Sequence, residues 1–376
     1  MNKILIATDS FKGSLSAAEA CNIIAQQARQ CFPQAEVLEL PVADGGEGLV
    51  PVVLQNLGGR LRTIPVQDPL GRQIPAAYAL LESGAAVIEM AAAAGLPLLQ
   101  KNELDPTKTS TVGVGELILD AIRMGADPIY IGLGGSATVD GGVGAASALR
   151  ILFLDEWGGV VTSGGRLNKI VRMDLSGLPT LNYSGKMVFL TDVSNPLCGP
   201  SGAAAIFGPQ KGASAEQVVE LERGLEQLAS LVEHESSLEL KDMPGMGAAG
   251  GFALPFVAFL GAEMRGGIDF VLDLLKFDEK LVGTDLVITG EGRTDAQSAM
   301  GKAISAVTRR SRAAGVRVAV ISGALGEGSE KMLELGVSDL VQATPIGQPL
   351  EEALQHAEEN LSKAAYLYFS DSLKRF

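Results

Sequence analysis

Lys3-Ile4-Leu5-Ile6-Ala7-Thr8-Asp9-Ser10-Phe11-Lys12-Gly13-Ser14 decides the class of this chain. The apolar run over 3–8 reads as a buried strand, and it ends on an Asp in a turn rich in Ser and Gly. Ser16 and Glu19 then form a capping box. Ala20, Ile23, Ile24 and Ala28 recur at helical spacing until Pro33 stops the helix. A second strand over 37–42 ends in Ala43-Asp44-Gly45-Gly46-Glu47-Gly48, and a helix over Leu49–Leu57 stops at Gly58-Gly59. Strand, helix, strand, helix, with polar Gly-rich turns at the strand ends, predicts a parallel α/β sheet. Its active face lies at the carboxyl ends of the strands.

The tail repeats that grammar. A strand over 285–289 ends in Gly290-Glu291-Gly292-Arg293-Thr294-Asp295. Thr294 and Gln297 suggest a capping box for a helix running to Gly315. Strands follow over 317–322 and 339–343, then a final helix over 350–369. Between head and tail the pattern changes. Short β-type runs over 61–66, 74–81 and 85–89 are joined by Asp68-Pro69-Leu70-Gly71 and Ser83-Gly84, which read as hairpin turns. Thr111 caps a helix to Met124, and 129–131 is a strand. The expected architecture is α/β in two domains. A discontinuous parallel-sheet domain spans 1–62 and 283–376, and a mixed-sheet α/β domain spans 63–282 as an insertion.

Composition narrows the chemistry. The chain has 376 residues, of which 47% are hydrophobic, enough for two full cores. Its net charge of −14 argues against nucleic acid or an anionic membrane as partner. The two histidines, His234 and His356, lie in charged helical surroundings, which makes a His-based triad or a zinc site improbable. The three cysteines, Cys21, Cys31 and Cys198, are odd in number and lack metal spacing, as in a reducing compartment. No secretory leader precedes the first strand and no apolar run reaches spanning length, so a cytoplasmic location is expected.

Four loops are built alike. They are Asp9-Ser10-Phe11-Lys12, Asp44-Gly45-Gly46-Glu47, Thr191-Asp192-Val193-Ser194-Asn195 and Glu291-Gly292-Arg293-Thr294-Asp295. Each follows an apolar strand and supplies a carboxylate; two also supply a cation. Any one of them could be a simple helix cap. Four together favour carboxylates around Mg²⁺, which takes one or two carboxylates, waters and substrate phosphates. The third belongs to a longer stretch: strand Met187–Leu190, Asp192, two prolines and several glycines, then Lys211 before a Ser214–Gln217 helix start. Gly132-x-Gly134-x-x-Ala137, with Asp155 further on, fits a dinucleotide fingerprint, a weak signal in a chain with 46 glycines. Neither a P-loop nor the protein-kinase signature set occurs. The Gly134-Gly135-Ser136 loop could instead cradle phosphates with its N–H groups and hydroxyls.

Five runs together resemble the type-1 glycerate kinases. They are 7–14, 42–48, Gly132-Leu133-Gly134-Gly135-Ser136-Ala137-Thr138, 192–211 and Thr289-Gly290-Glu291-Gly292-Arg293-Thr294-Asp295. The likeness covers nearly the whole chain in order. It implies ATP-dependent phosphorylation of (R)-glycerate, usually at O2 to give 2-phosphoglycerate, with 3-phosphoglycerate as the product at the other hydroxyl. It also implies a flavodoxin-like domain beside one likened to restriction endonucleases.

Phosphoryl transfer needs positioning, charge neutralisation and a placed nucleophile, and the residues divide accordingly. Asp192 and Asp44 are the candidates for metal ligand and for the base that accepts the glycerate proton, with Glu291 a further metal candidate. Lys12 would act on the transferring group. Arg293, Lys211, Asn195 and Ser10 are substrate-binding candidates, Arg being suited to a bidentate carboxylate contact. Gly134, Gly135, Ser136 and Thr138 would hold ATP phosphates. The expected partners are therefore glycerate, ATP and Mg²⁺, with a homodimer left open. Two rivals are weighed: an NAD(P)-dependent oxidoreductase of a small hydroxy acid, using 132–137 and Asp155, and a non-catalytic sugar-acid-binding protein. Neither accounts for the four acidic loops.

Overall fold

The structure, a computed structural model, describes residues 1–299 and 303–373. It forms two compact units, residues 1–44 with 268–376, and residues 45–267.

The head-and-tail unit is built on five parallel strands. Their order across the sheet is Asp339–Gln342, Arg317–Ser322, Leu286–Thr289, Lys3–Ile6 and Glu36–Glu39. Counted within the unit this is 2-1-3-4-5, the doubly wound order of flavodoxin-like sheets. Helices cover both faces, so the strands are apolar on both sides. Ile4, Ile6, Ile288 and Ile321 face helices Ala17–Cys31 and Ala357–Leu373, which pack on each other through Ile24, Leu361 and Phe369. Phe32 meets Phe369 edge to face at 6.2 Å. The alternate residues Leu5, Val287 and Val320 are equally buried, and helix Ala303–Ala313 packs on that sheet. The capping box forms as expected: Ser16 Oγ accepts from the Glu19 N–H at 3.2 Å, and Glu19 Oε2 accepts from the Ser16 N–H at 2.8 Å.

Two local expectations fail in this unit. Thr294 does not cap a helix: it lies in the short strand Arg293–Thr294, paired with Ala324–Leu325, and its buried hydroxyl bonds Ser322 Oγ at 2.7 Å. Asp295 makes the local turn instead, its Oδ1 accepting from the Gln297 N–H at 2.8 Å. The helix expected to run on from there is described as Ala303–Ala313, and 300–302 lie outside the described residues. The final helix is two, Leu350–Gln355 and Ala357–Leu373, broken at His356.

The inserted unit carries a six-stranded mixed sheet in the order Glu263–Arg265, Met187–Leu190, Ile129–Gly132, Ala86–Glu89, Gln73–Leu81 and Gly59–Gln67. Only Gln73–Leu81 runs against its neighbours. Asp68 closes its hairpin with Gly59–Gln67, Oδ1 accepting from the N–H groups of Leu70 and Arg72 at 2.9 and 2.8 Å. Phe189, Phe252 and Phe256 cluster in the core, with Phe189 edge-on to Phe252 at 5.5 Å. Helix Leu49–Leu57 packs on Gln73–Leu81 and Ala86–Glu89, and Glu89 Oε1 accepts the Val50 N–H at its start at 2.7 Å. That packing puts the switch between units at 44/45, where the strand-helix pattern alone suggests 62/63. The return falls at 267/268, against the 282/283 read from the pattern.

Candidate functional site

In the head-and-tail unit a cleft of about 470 Å³ opens at the carboxyl ends of the parallel strands. Its charged rim is Asp9, Lys12, Asp44, Glu291, Arg293 and Asp295, and its apolar wall is Leu350, Leu354 and Leu361. The topology explains the position. Strands Lys3–Ile6 and Leu286–Thr289 are neighbours at which the strand order reverses, so their following loops diverge and leave a crevice.

Asp9 is buried where the first of these loops begins, and its Oδ1 accepts the Ser10 N–H at 2.6 Å. Burial raises its pKa to about 7, helped by the Asp44 carboxylate and, more weakly, Glu291; the Ser10 N–H and Lys12 pull it back. Four carboxyl groups, Asp9, Asp44, Glu291 and Asp295, thus share one crevice with two cations on its rim. Glu291 Oε1 accepts from the buried Ser298 hydroxyl at 2.5 Å, which orients that carboxylate. Arg293 is exposed, with Nε 3.9 Å from Asp295 Oδ2. Lys12 is exposed as well. Ser10, Lys12, Asp44, Glu291 and Arg293, drawn from three separate loops, are therefore brought together. Asp9 belongs with them although no site role is read for it in the sequence. The available signal was its place: like Asp44, it closes an apolar strand and opens a polar loop.

The other sequence candidates lie in the inserted unit, on loops leaving parallel strands. The loop after Ile129–Gly132 is held against the start of the unit: a Cβ on Gly134 would stand 2.6 Å from the Cα of Gly46, so only glycine fits. Ser136 and Thr138 are buried. Lys211 is only 2% exposed, and its Nζ donates to Ser136 Oγ at 2.9 Å and to the Thr138 carbonyl at 2.7 Å. Its ammonium is thus directed into this loop, and burial lowers its pKa to about 7 while Asp140 raises it. Asp140, itself buried, accepts from the Thr111 hydroxyl and N–H at 2.7 and 2.8 Å. Thr111 therefore stands at a helix start without capping it; its hydroxyl serves Asp140 and accepts the Ala145 N–H at 2.9 Å.

Asp192 is exposed on the loop after Met187–Leu190, with Oδ1 beside Gly266. Asn195 closes that loop on itself, Nδ2 donating to the Ser201 carbonyl at 2.8 Å. The dinucleotide pattern has no support in the geometry. The next helix, Val143–Ala148, starts well beyond Ala137, so Gly134 and Gly135 do not open a helix N-terminus. Asp155 is a turn residue whose Oδ1 accepts from Gly159 N–H at 2.7 Å and whose Oδ2 pairs with Arg166 at 2.7 Å.

The glycerate kinase family model matches residues 4–370. The chain belongs to the glycerate kinase family. It is 41% identical over 366 residues to the glycerate 2-kinase of Escherichia coli (strain K12), covering 96% of each chain. It is 40% identical over 367 residues to a glycerate kinase of Halalkalibacterium halodurans, covering 97% of each. A crystal structure of a protein assigned as glycerate kinase 2 from Salmonella typhimurium LT2 superposes with a TM-score of 0.87 at 39% identity, covering 100% of this chain and 98% of that one.

Members of a kinase family need a divalent cation with their nucleotide, and the carboxylate crevice suits a hard one. Its carboxylate donors are oxygens only; burial is the first cause of the raised Asp9 pKa, and the repulsion from Asp44 that adds to it is what a bound cation would relieve. Among the described residues no group of three or more Asp, Glu, His or Cys side chains is arranged to hold a metal ion by itself. Among the described residues no helix is long and apolar enough to cross a membrane.

Proposed function

We propose that this chain is a glycerate 2-kinase, transferring the γ-phosphoryl group of ATP to the 2-hydroxyl of (R)-glycerate. The observation that carries this reading is the crevice of carboxylates and cations at the strand ends, in a chain of the glycerate kinase family.

Each residue is assigned by what its chemistry permits. Arg293 and Lys12 are the exposed cations on the rim; Arg293 suits the planar carboxylate of glycerate, and Lys12 suits the phosphoryl group in flight. Ser10, beside Asp9, is assigned to a substrate hydroxyl. Asp44 and Asp192 share the roles of base and metal ligand, with Glu291 as a third oxygen donor. Mg²⁺, when bound with the nucleotide, would neutralise charge on the phosphate oxygens. The transition state is loose, so the base receives its proton late and need not be a strong one. Gly134, Gly135, Ser136 and Thr138 are assigned to the ATP phosphates. The buried ammonium of Lys211 supports that loop, which revises the expectation that it meets glycerate directly.

The test is a coupled ADP-release assay with (R)-glycerate, (S)-glycerate and no acid, in the presence and absence of Mg²⁺. Turnover with (R)-glycerate and Mg²⁺ alone is expected. Binding of glycerate without ADP release would fit a non-catalytic binder instead.

A further inference from the structure

Lys211 lies under the loop over 132–138, and the direction of its hydrogen bonds has a consequence for Ser136. In its ammonium form Lys211 only donates, so in that form Ser136 Oγ is the acceptor in their 2.9 Å contact. The hydroxyl hydrogen of Ser136 is then left over, and among the described residues none accepts it. Ser136 is 7% exposed, so this is a buried donor with one direction still to satisfy. The backbone around it is pinned at successive residues. Leu96 N–H donates to the Gly135 carbonyl at 2.9 Å, Ala137 N–H donates to the Ala94 carbonyl at 2.8 Å, and Thr109 Oγ1 donates to the Ala137 carbonyl at 2.9 Å. Lys211 adds the Thr138 carbonyl at 2.7 Å. These bonds hold the loop on both sides of Ser136 without help from a ligand, the preorganisation an anion cradle needs.

We propose that Lys211 is a positioning residue for phosphoryl transfer, which by occupying the Ser136 oxygen and the Thr138 carbonyl turns the Ser136 hydroxyl into a donor aimed at a nucleotide phosphate. The inference rests on the assignment of this loop to ATP phosphates. Burial lowers the pKa of the Lys211 amine to about 7, and the charged group whose field opposes this is Asp140. The ammonium therefore sits where its charge is costly, which is expected of a group retained for orientation.

Binding of the non-hydrolysable analogue AMP-PNP with Mg²⁺ is measured by calorimetry, beside steady-state kinetics, for Lys211→Met, Ser136→Ala, Ser136→Thr, the double variant Lys211→Met/Ser136→Ala, and Gly135→Ala. Gly135 has φ +72°, and a Cβ added there would stand 3.2 Å from Ala91 Cβ, so its alanine variant distorts the loop itself. Loss of one charge-assisted bond predicts about tenfold weaker nucleotide for Lys211→Met and for Ser136→Ala. The double variant should match the worse single one, Ser136→Thr should recover most of the affinity, and KM for glycerate should stay within about twofold. A folded Lys211→Met that binds AMP-PNP normally overturns the inference. Additive losses in the double variant overturn it as well. If Lys211→Met does not fold, the Ser136→Ala and Ser136→Thr pair decides alone. Where Gly135→Ala weakens the nucleotide and the Lys211 and Ser136 variants do not, the loop assignment survives and the inference fails. Where none of them does, both fail.

Discussion

Asp9 is lifted to about 7 by its own burial first and by the neighbouring Asp44 carboxylate second. A group with this history costs stability. The unfolded chain ionises it from pH 3.8 upward while the native state holds its proton to about 7, so stability is lost as pH rises across that window. Asp9→Asn removes the loss, which is up to roughly 4 kcal/mol. The variant should melt no lower than the parent at pH 8 by scanning calorimetry, and its advantage should vanish at pH 4. Its kcat/KM should fall about a hundredfold or more, since the crevice proposed to hold the substrates loses a carboxyl group beside Ser10 and Asp44. A less stable or fully active variant would remove Asp9 from the site.

Lys12 and Arg293 are the exposed cations of the crevice rim. Lys12→Ala should lower kcat at least about a hundredfold with little change in KM for ATP, the pattern of a contact made in the transition state. Arg293→Lys should raise KM for glycerate about tenfold or more, because an ammonium cannot replace a bidentate fork. Initial-rate kinetics over both substrates separate the two effects.

Lys211 gives the opposite pH signature. Its amine is held at about 7 against 10.5 in the unfolded chain, so between those values the unfolded state binds more protons and stability rises with pH. The slope is at most about 1.4 kcal/mol per pH unit. Lys211→Met should flatten the rise between pH 7 and about 8.5, measured as the difference in melting temperature between parent and variant. Above that range the buried thiols of Cys21 and Cys198, raised to about 11 and about 12, pull stability down as pH rises. A parent whose stability falls between pH 7 and about 8.5, with a variant that follows it, contradicts the burial of a titrating amine.

Gly134→Ala tests the close approach of two backbones. Its Cβ would meet the Cα of Gly46 at 2.6 Å, and neither side is a flexible chain end. The loop must shift, at a cost of about 1–3 kcal/mol. Melting temperature and AMP-PNP affinity should both drop; an unchanged variant would mean that the two loops do not touch.

Much of this architecture was legible because it is written in short-range signals. Alternating apolar runs and capping boxes gave the parallel sheet, and Asp68 with its Pro-Leu-Gly marked the hairpin. Asp44, Glu291, Lys12 and Arg293 could be grouped because each follows an apolar strand in a Gly-bounded loop. What stayed hidden depends on distant partners. Thr294 looks like a cap until Ser322 is seen to hold its hydroxyl. Thr111 looks like one until Asp140 is placed. Lys211 reads as a substrate-binding cation in a Gly-bounded loop, and only packing reveals that its charge is buried against Ser136. Asp9 carries no local mark of burial, so its perturbed carboxyl emerges only when three loops meet.

Phosphorus NMR of the products formed from (R)-glycerate, ATP and Mg²⁺ tests the central claim most directly. The account predicts one 2-phosphoglycerate resonance growing in step with ADP, absent when glycerate is omitted. Inorganic phosphate in place of a phosphoglycerate, or no loss of ATP at all, would contradict it.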